Sequence, residues 1–307
     1  PQFSWQQCGR AHRFGQGIAL AQFEVGVIGL GAIGLPVAIN LSRSFTVQGW
    51  NRSAILNEQL SSSGVELIKD LGSFDTSNYL VALSDEASIF EVLNHGLLTV
   101  LKPNDLVIVL SSISPDAMHT ISEFIHARGA RVIDAPVSGG DVGAQRGELS
   151  IMLAGDPDDC ARAEKLLVKT AKTIRNVGSL GKAQTLKACN QIIVGAHLVA
   201  LAESLALARQ NGISDQDFFD VISTGLAGSS VLNTKWEKVE SGDFSKGGKS
   251  EYQLKDMRIA LDIAKKISLA LPLSETVAEI YRIHKELGHA DLDHSSVLLQ
   301  YLDAHEI

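Results

Sequence analysis

Over the first 180 residues, apolar positions fall in short runs separated by helical patterns. Phe23–Ile28 is a short apolar run that stops at glycine, which predicts a buried strand. A helical pattern covers Ala32–Ser42, and a second strand is expected at Phe45–Gly49. Further strands are predicted at Val65–Ile68, Tyr79–Leu83, Leu106–Leu110, Arg131–Ile133 and Leu149–Leu153, with helices at Glu86–Leu101, Ala117–Arg128 and Pro157–Thr170. Strands alternating with helices imply βαβ units and a parallel sheet. The pattern changes near Gly181. From Lys182 to Asn211 the one strong breaker is Gly195, so a single helix of about 45 Å is expected at 1.5 Å per residue. That helix reads apolar on more than one face, which places it inside the core of a second domain or along an oligomer interface. Only helical patterns follow, at Ser214–Ser223, Ser230–Glu240, Leu254–Ile267 and Pro272–Leu287. The expectation is an α/β, doubly wound sheet over residues 23–180, then an all-α part over 181–307 built on the long helix.

Composition narrows the function classes. Apolar residues make up 45% of the 307 and the formal net charge is −8, which describes a soluble globular chain without the basic footprint of a nucleic-acid binder. An anionic membrane surface would repel such a chain, and no apolar run of about 18 residues stands out as a span. The 3 cysteines, Cys8, Cys160 and Cys189, are widely spaced without a C-x-x-C pair. Neither a disulfide framework nor a cysteine-based zinc site is expected, and a reducing, cytoplasmic setting is the default. Residues 1–22 carry Arg10, His12 and Arg13 and no acid. They fit the remnant of an organellar leader, an appended leader or a misassigned start.

The first chemical signal is Gly29-Leu30-Gly31-Ala32-Ile33-Gly34, a G-x-G-x-x-G directly after a strand and opening a helix. Gly29 permits the tight turn, Gly31 lets a pyrophosphate approach the backbone, and Gly34 lets helix and strand pack closely. The helix N-terminus then offers free N–H groups to phosphates. The motif alone also fits a generic strand-to-helix turn, but its context is that of a dinucleotide site. At the end of the second strand, where an NAD site wants an acid, the chain reads Trp50-Asn51-Arg52-Ser53. No acid there repels a 2′-phosphate, and Arg52 is able to fork onto it and stack on adenine, a contact worth about 1.5–3 kcal/mol. NADP(H) is therefore expected over NAD. The bland alternative is an exposed arginine at a turn.

Three further stretches carry polar chemistry. Asp134-Ala135-Pro136-Val137-Ser138-Gly139-Gly140 ends in a loop whose N–H groups and hydroxyl suit a carboxylate, though a plain tight turn fits as well. Lys187, Asn190 and Gln191 share one helix face at i, i+3 and i+4. A lysine there is costly to bury without purpose, unless it snorkels to the surface. Leu254-Lys255-Asp256 is a common surface pattern in isolation. In this order and spacing, the chain resembles the β-hydroxyacid dehydrogenase family over about residues 23–305. Asp134 to Gly140 matches the family's substrate motif, Gly181 to Asn190 its catalytic motif, and Lys255-Asp256 its late K-D motif. Ser111-Ser112-Ile113-Ser114-Pro115 resembles the segment near the nicotinamide, and Asp293-His294-Ser295 a D-x-S ending.

The resemblance implies a Rossmann-type domain plus an all-α domain on an interdomain helix, assembled as homodimers or homotetramers. It implies that Lys187 is the general acid/base and that Asn190 hydrogen-bonds the substrate. Ser138, Gly139 and Gly140 would hold a carboxylate, and Lys255 and Asp256 would close the cleft. Asn51 and Arg52 match members that use NADPH, and Leu83 lies in the loop over the cofactor. The substrate implied is a small carboxylate-bearing aldehyde or 3-hydroxyacid. No metal is needed, because Lys187 activates the carbonyl. His284, His289 and His294 recur every five residues and are expected on the surface. Ala183 replaces a usual glycine. Gly248 stands where one branch has an aromatic, which widens the pocket, and Lys249 beside it is expected to meet a second anionic group on a longer substrate. Two other readings remain. An imine reductase shares the architecture but generally lacks the lysine. A non-catalytic dinucleotide-binding interaction module would be expected to lose Lys187 and gain basic segments.

Overall fold

A computed structural model of the protein describes residues 22–53, 60 and 62–302. Residues 1–21, which hold Cys8 and nearly all of the expected leader, lie outside that set. Six strands form the main sheet: β1 Val25–Ile28, β2 Val47–Trp50, β3 Glu66–Leu67, β4 Asn78–Val81, β5 Leu106–Val109 and β6 Arg131–Asp134. They pair in parallel in the order β3-β2-β1-β4-β5-β6, the doubly wound arrangement. Strands such as β1 and β5 are buried at every position. This is why the sequence shows continuous apolar runs there and no alternation: a parallel sheet has helices on both faces. Val27, Leu80, Ile108 and Ile133 face the core that includes α1 (Gly34–Ser42). Ile28, Tyr79, Val81 and Val109 face the other, which includes α2 (Glu86–Val92) and α3 (Pro115–His126).

The helix expected over Glu86–Leu101 is interrupted. Gly96 has φ +156°, and a Cβ there would come within 2.8 Å of Leu71 Cβ. The chain is kinked at this glycine so that two segments pack closely.

After β6, a small second sheet joins β7 (Val137–Ser138), β8 (Leu149–Leu153) and β9 (Ala171–Asn176). Between them lie α4 (Gly140–Arg146) and α5 (Pro157–Leu167). β9 has no sequence signal because it buries almost nothing; its side chains are exposed or half-buried. Its order comes from pairing with β8.

The long helix α6 spans Lys182–Gln210. Within the single chain the core covers only one side of it. One face, including Ala183, Lys187, Gln191, Gly195, Leu198 and Leu205, is buried. The opposite stripe leaves Leu186, Ile193 and Leu207 at 41%, 57% and 68% exposure. By length and composition α6 would suffice to cross a bilayer, which the sequence reading missed, yet 44% of its most apolar stretch is buried within the fold. Around it pack α7 (Asp215–Thr224), α8 (Ser230–Ser241), α9 (Ser250–Lys266) and α10 (Pro272–His284). A Cβ at Gly195 would come within 2.7 Å of Gln253 Nε2 and 3.2 Å of Met257 Sδ, so this glycine sets how closely α9 crosses α6.

The histidine expectation is corrected. His284 is fully buried and its Nε2 lies 2.7 Å from Ser296 Oγ. The five-residue spacing failed as a guide because the helix kinks at Gly288 (φ +88°) and the chain turns back on α10.

Candidate active site

The C-terminal ends of β1, β2, β4 and β5 open into one cleft of about 1120 Å³ whose far wall is made by α6, α8 and α9. In a doubly wound sheet this is where ligands bind.

At the β1 end, Gly29 has φ +92°, and a Cβ there would come within 2.4 Å of Ala82 O. A Cβ at Gly34 would overlap Gly29 O at 1.8 Å. Gly31 differs: it lines the cleft, and a Cβ would meet no protein atom within 4 Å. Ala32 and Ile33 also line the cleft, whereas Leu30 packs behind it against Gly49 and donates its N–H to Asn51 Oδ1 at 3.0 Å. Helix α1 has neither a side-chain cap nor an acid in its first turn, so its N–H groups and positive dipole end remain available to an anion. This cradle fits a dinucleotide pyrophosphate.

Beyond β2, Asn51, Arg52 and Ser53 line the same cleft. Asn51 Nδ2 donates to Ser53 O at 2.9 Å, which pins the turn. Arg52 is exposed and its Nη1 lies 3.0 Å from Glu91 Oε2. Lys69 and His95 line this end too, with no sequence signal beyond their charge. Beyond β4, Leu83 lines the cleft and donates its N–H to the buried Ser111 Oγ at 2.8 Å.

The other end gathers the residues expected to act on substrate. Between β2 and β6 lie four strand spacings, roughly 19 Å. Lys187 is buried on α6, and its Nζ donates to Gln191 Oε1 at 2.8 Å. Asn190 Nδ2 donates to the same oxygen at 2.9 Å. Gln191 Nε2 donates to Asp256 Oδ2 at 2.7 Å, so one amide links the lysine to α9. Burial lowers the Lys187 pKa to about 8; Asp256 opposes that and Lys255 adds to it. Ser138 Oγ donates to Asn190 Oδ1 at 3.4 Å, and Ser138, Gly139 and Gly140 line the cleft beside it. Gly139 and Gly140 have φ +126° and +63°, which turns the chain into α4.

Lys255 and Asp256 sit in the second turn of α9, not at its start. Lys255 Nζ donates to Ser84 O at 2.9 Å and to Ser112 O at 2.6 Å, tying α9 to the loops after β4 and β5. It lies 3.5 Å from Asp256 Oδ1, an oxygen that accepts no hydrogen bond among the described residues. Lys249, expected to face an anionic ligand group, lines the cleft but is paired with Asp291 at 2.5 Å and Glu251 at 3.7 Å.

Two pairings escaped the sequence reading, although Asp134, Gln184 and Asp293 each stood inside a motif it singled out. Asp134 is fully buried where β6 meets α6. Its Oδ2 accepts from Gln184 N at 3.0 Å and its Oδ1 from Gln184 Nε2 at 2.7 Å. Gln184 also donates to Ser111 O at 2.9 Å and accepts from Ile113 N at 3.0 Å. This cluster holds the first turn of α6, one turn before Lys187. Burial raises the Asp134 pKa to about 7 against the pull of these donors. The second group is Lys235, buried on α8 with its Nζ 2.7 Å from Asp293 Oδ2, beside His294. Only the D-x-S ending hinted at it.

Comparison with known proteins agrees with this geometry. Residues 24–178 match the family model for the NAD binding domain of 6-phosphogluconate dehydrogenase. Residues 181–301 match that for the NAD-binding region of NADP-dependent 3-hydroxyisobutyrate dehydrogenase. The 2-hydroxy-3-oxopropionate reductase of Escherichia coli is 32% identical over 279 residues, covering 90% of this chain and 96% of that protein. The L-threonate dehydrogenase of Cupriavidus necator is 30% identical, covering 90% and 95%. The crystal structure of 3-hydroxyisobutyrate dehydrogenase from Salmonella typhimurium superposes with a TM-score of 0.84 at 28% identity, covering 91% and 99%. The chain belongs to the β-hydroxyacid dehydrogenase family of NAD(P)-dependent oxidoreductases.

Proposed function

We propose that the protein is an NADPH-preferring reductase of small carboxylate-bearing aldehydes, working in reverse as a hydroxyacid dehydrogenase, with Lys187 as its general acid/base. The observation that carries this reading is a buried lysine at the meeting point of sheet loops and α6, with its pKa lowered to about 8. A bound nicotinamide would supply the hydride for the aldehyde carbon in reduction and take it back in oxidation. Lys187 gives its proton to the carbonyl oxygen in reduction and recovers it from the alcohol in oxidation. The cationic lysine also stabilises the charge that builds on the oxygen. Gln191 aims the ammonium and is itself held by Asp256. Asn190 and the Ser138–Gly140 loop hold the carboxylate, and Lys255 holds α9 against the loops that carry Ser84 and Ser112. Arg52, with Asn51 and Ser53, meets the adenosine 2′-phosphate, exchanging Glu91 for the ligand.

An imine reductase does not need this lysine, and an interaction module has no use for a desolvated one. The buried Lys187 network therefore favours the dehydrogenase reading over both. The test follows NADPH absorbance with glyoxylate, succinic semialdehyde, 2-hydroxy-3-oxopropionate and methylmalonate semialdehyde. At least one is expected to turn over, with NADPH preferred to NADH. NADPH binding without turnover of any aldehyde would overturn the reading.

A further inference from the structure

Lys187 lies between two buried glutamines on one face of α6. Gln184 precedes it by three residues and Gln191 follows it by four, so the three side chains share one stripe. The two amides are tied to opposite halves of the molecule. Gln191 Nε2 donates to Asp256 Oδ2 at 2.7 Å and to Gln253 Oε1 at 3.3 Å, both on α9. The bonds of Gln184 run the other way, to Asp134 at the end of β6 and to Ser111 and Ile113 in the loop after β5. The reaction proposed above uses Gln191 and leaves Gln184 without a part.

The Gln184 amide is fully spent. An amide carries one acceptor oxygen and two N–H donors. Its Oε1 takes Ile113 N at 3.0 Å, and its Nε2 gives to Ser111 O at 2.9 Å and Asp134 Oδ1 at 2.7 Å. Turning the amide over would set donor against donor and acceptor against acceptor, so one orientation is fixed. The backbone is held as well. The first N–H groups of a helix have no partner within it, and Gly181, which starts α6, has no side chain to cap them. Asp134 Oδ2 takes the Gln184 N–H at 3.0 Å and supplies a cap from β6.

What Gln184 holds faces the cofactor. With the pyrophosphate over the β1 turn and the adenosine beyond β2, the nicotinamide half extends the other way, over β4 and β5. Ser111 and Ser112 line the cleft there. Behind the lysine, Gln184, Lys187, Gln191, Asp256, Ser112 and Ile113 line a cavity of about 10 Å³, room for one water at most. Lys187 therefore has little slack on that side, and a shift of Gln184 is passed on to it.

Resting on the function proposed above, we infer that Gln184 is a positioning residue for the reaction: it fixes the proton donor on α6 and the loop beneath the hydride donor in one register. Gln191 aims the ammonium from the helical half, and Gln184 sets its distance from the sheet half. Misplacement by 1 Å costs a reaction about 10²-fold, so this register controls rate before it controls binding.

A double-mutant cycle with Lys187 separates positioning from mere support. Gln184→Met keeps the length of the side chain and removes its three hydrogen bonds. Single-turnover reduction is followed with NADPH prebound and an aldehyde that the wild type turns over. Gln184→Met is expected to lower this rate about ten- to a hundredfold. The affinity for NADPH and the half-saturating aldehyde concentration are expected to stay within about threefold of wild type. In a Lys187→Met background the same change is expected to cost less than about threefold, because no ammonium is left to position. Where Gln184→Met fails to fold, Gln184→Asn, which keeps the amide one methylene short of its partners, completes the cycle. An equal loss in both backgrounds, an unchanged rate, or a loss confined to NADPH affinity or aldehyde saturation overturns the inference and leaves the function standing. A Lys187→Met enzyme as fast as wild type removes the function, and the inference with it.

Discussion

Arg52 and Lys187 are both cations facing one cleft, and they are held in opposite ways. The Arg52 side chain is 72% exposed, with one partner, Glu91, itself 45% exposed. Lys187 is 9% exposed, and its partner Gln191 is tied to Asp256 on another helix. An exposed pair is worth about 0–1 kcal/mol and exchanges readily for a ligand. A desolvated ammonium in a fixed network keeps its geometry, and its proton becomes easier to release. On the function proposed above, the Arg52 end suits exchange of partners and the Lys187 end suits position and acidity.

The largest effect expected of this contrast is at Lys187. Lys187→Ala should lower kcat by about 10²–10⁴-fold while leaving the affinity for NADPH nearly unchanged, measured by steady-state rates and NADPH fluorescence titration. Next is the support behind it. Asp134→Asn places an amide where Gln184 presents two donors, and one of them loses its acceptor. A stability loss of about 1–3 kcal/mol is expected in urea unfolding. The wild type should also respond to pH through this group. With a folded pKa near 7 against the ordinary 3.8, the native state holds the proton that the unfolded chain releases. The contribution of this group is therefore complete below about pH 4 and is lost as pH rises through 7, a few kcal/mol in all, and that component should be missing from the pH dependence of Asp134→Asn.

Effects at the exposed end are smaller and concern the ligand. Arg52→Ala should lower the NADPH-to-NADH ratio of kcat/KM by about ten- to a hundredfold, with unfolding shifted by under about 0.5 kcal/mol. An unchanged ratio would remove Arg52 from the 2′-phosphate site. The smallest change is at its partner. Glu91→Gln frees the guanidinium, and NADPH is expected to bind up to about fivefold more tightly in the same titration.

What the sequence made legible follows the same division. The glycines of the β1 turn and the apolar strands were readable because their constraints are local: a positive φ, a close approach, burial on both faces. Lys187, Asn190 and Gln191 were readable together because one helix face is a local property. β9 left no trace, since its order comes from β8 and not from its own side chains. Asp134 and Gln184 are 50 residues apart, as Lys235 and Asp293 are 58, and no spacing rule reaches such pairs. The histidines were misplaced for the same reason: the kink at Gly288 resets the helical periodicity on which the reading relied.

The central claim, that Lys187 gives the proton, is tested most directly by the pH profile of single-turnover reduction with NADPH prebound, wild type against Lys187→Met. The account predicts a wild-type rate level below about pH 8 that falls tenfold per unit above it as the lysine loses its proton. It predicts a Lys187→Met rate at least about a hundredfold lower without that break. A variant that retained the wild-type rate and the break near pH 8 would assign the proton to another group and contradict the account.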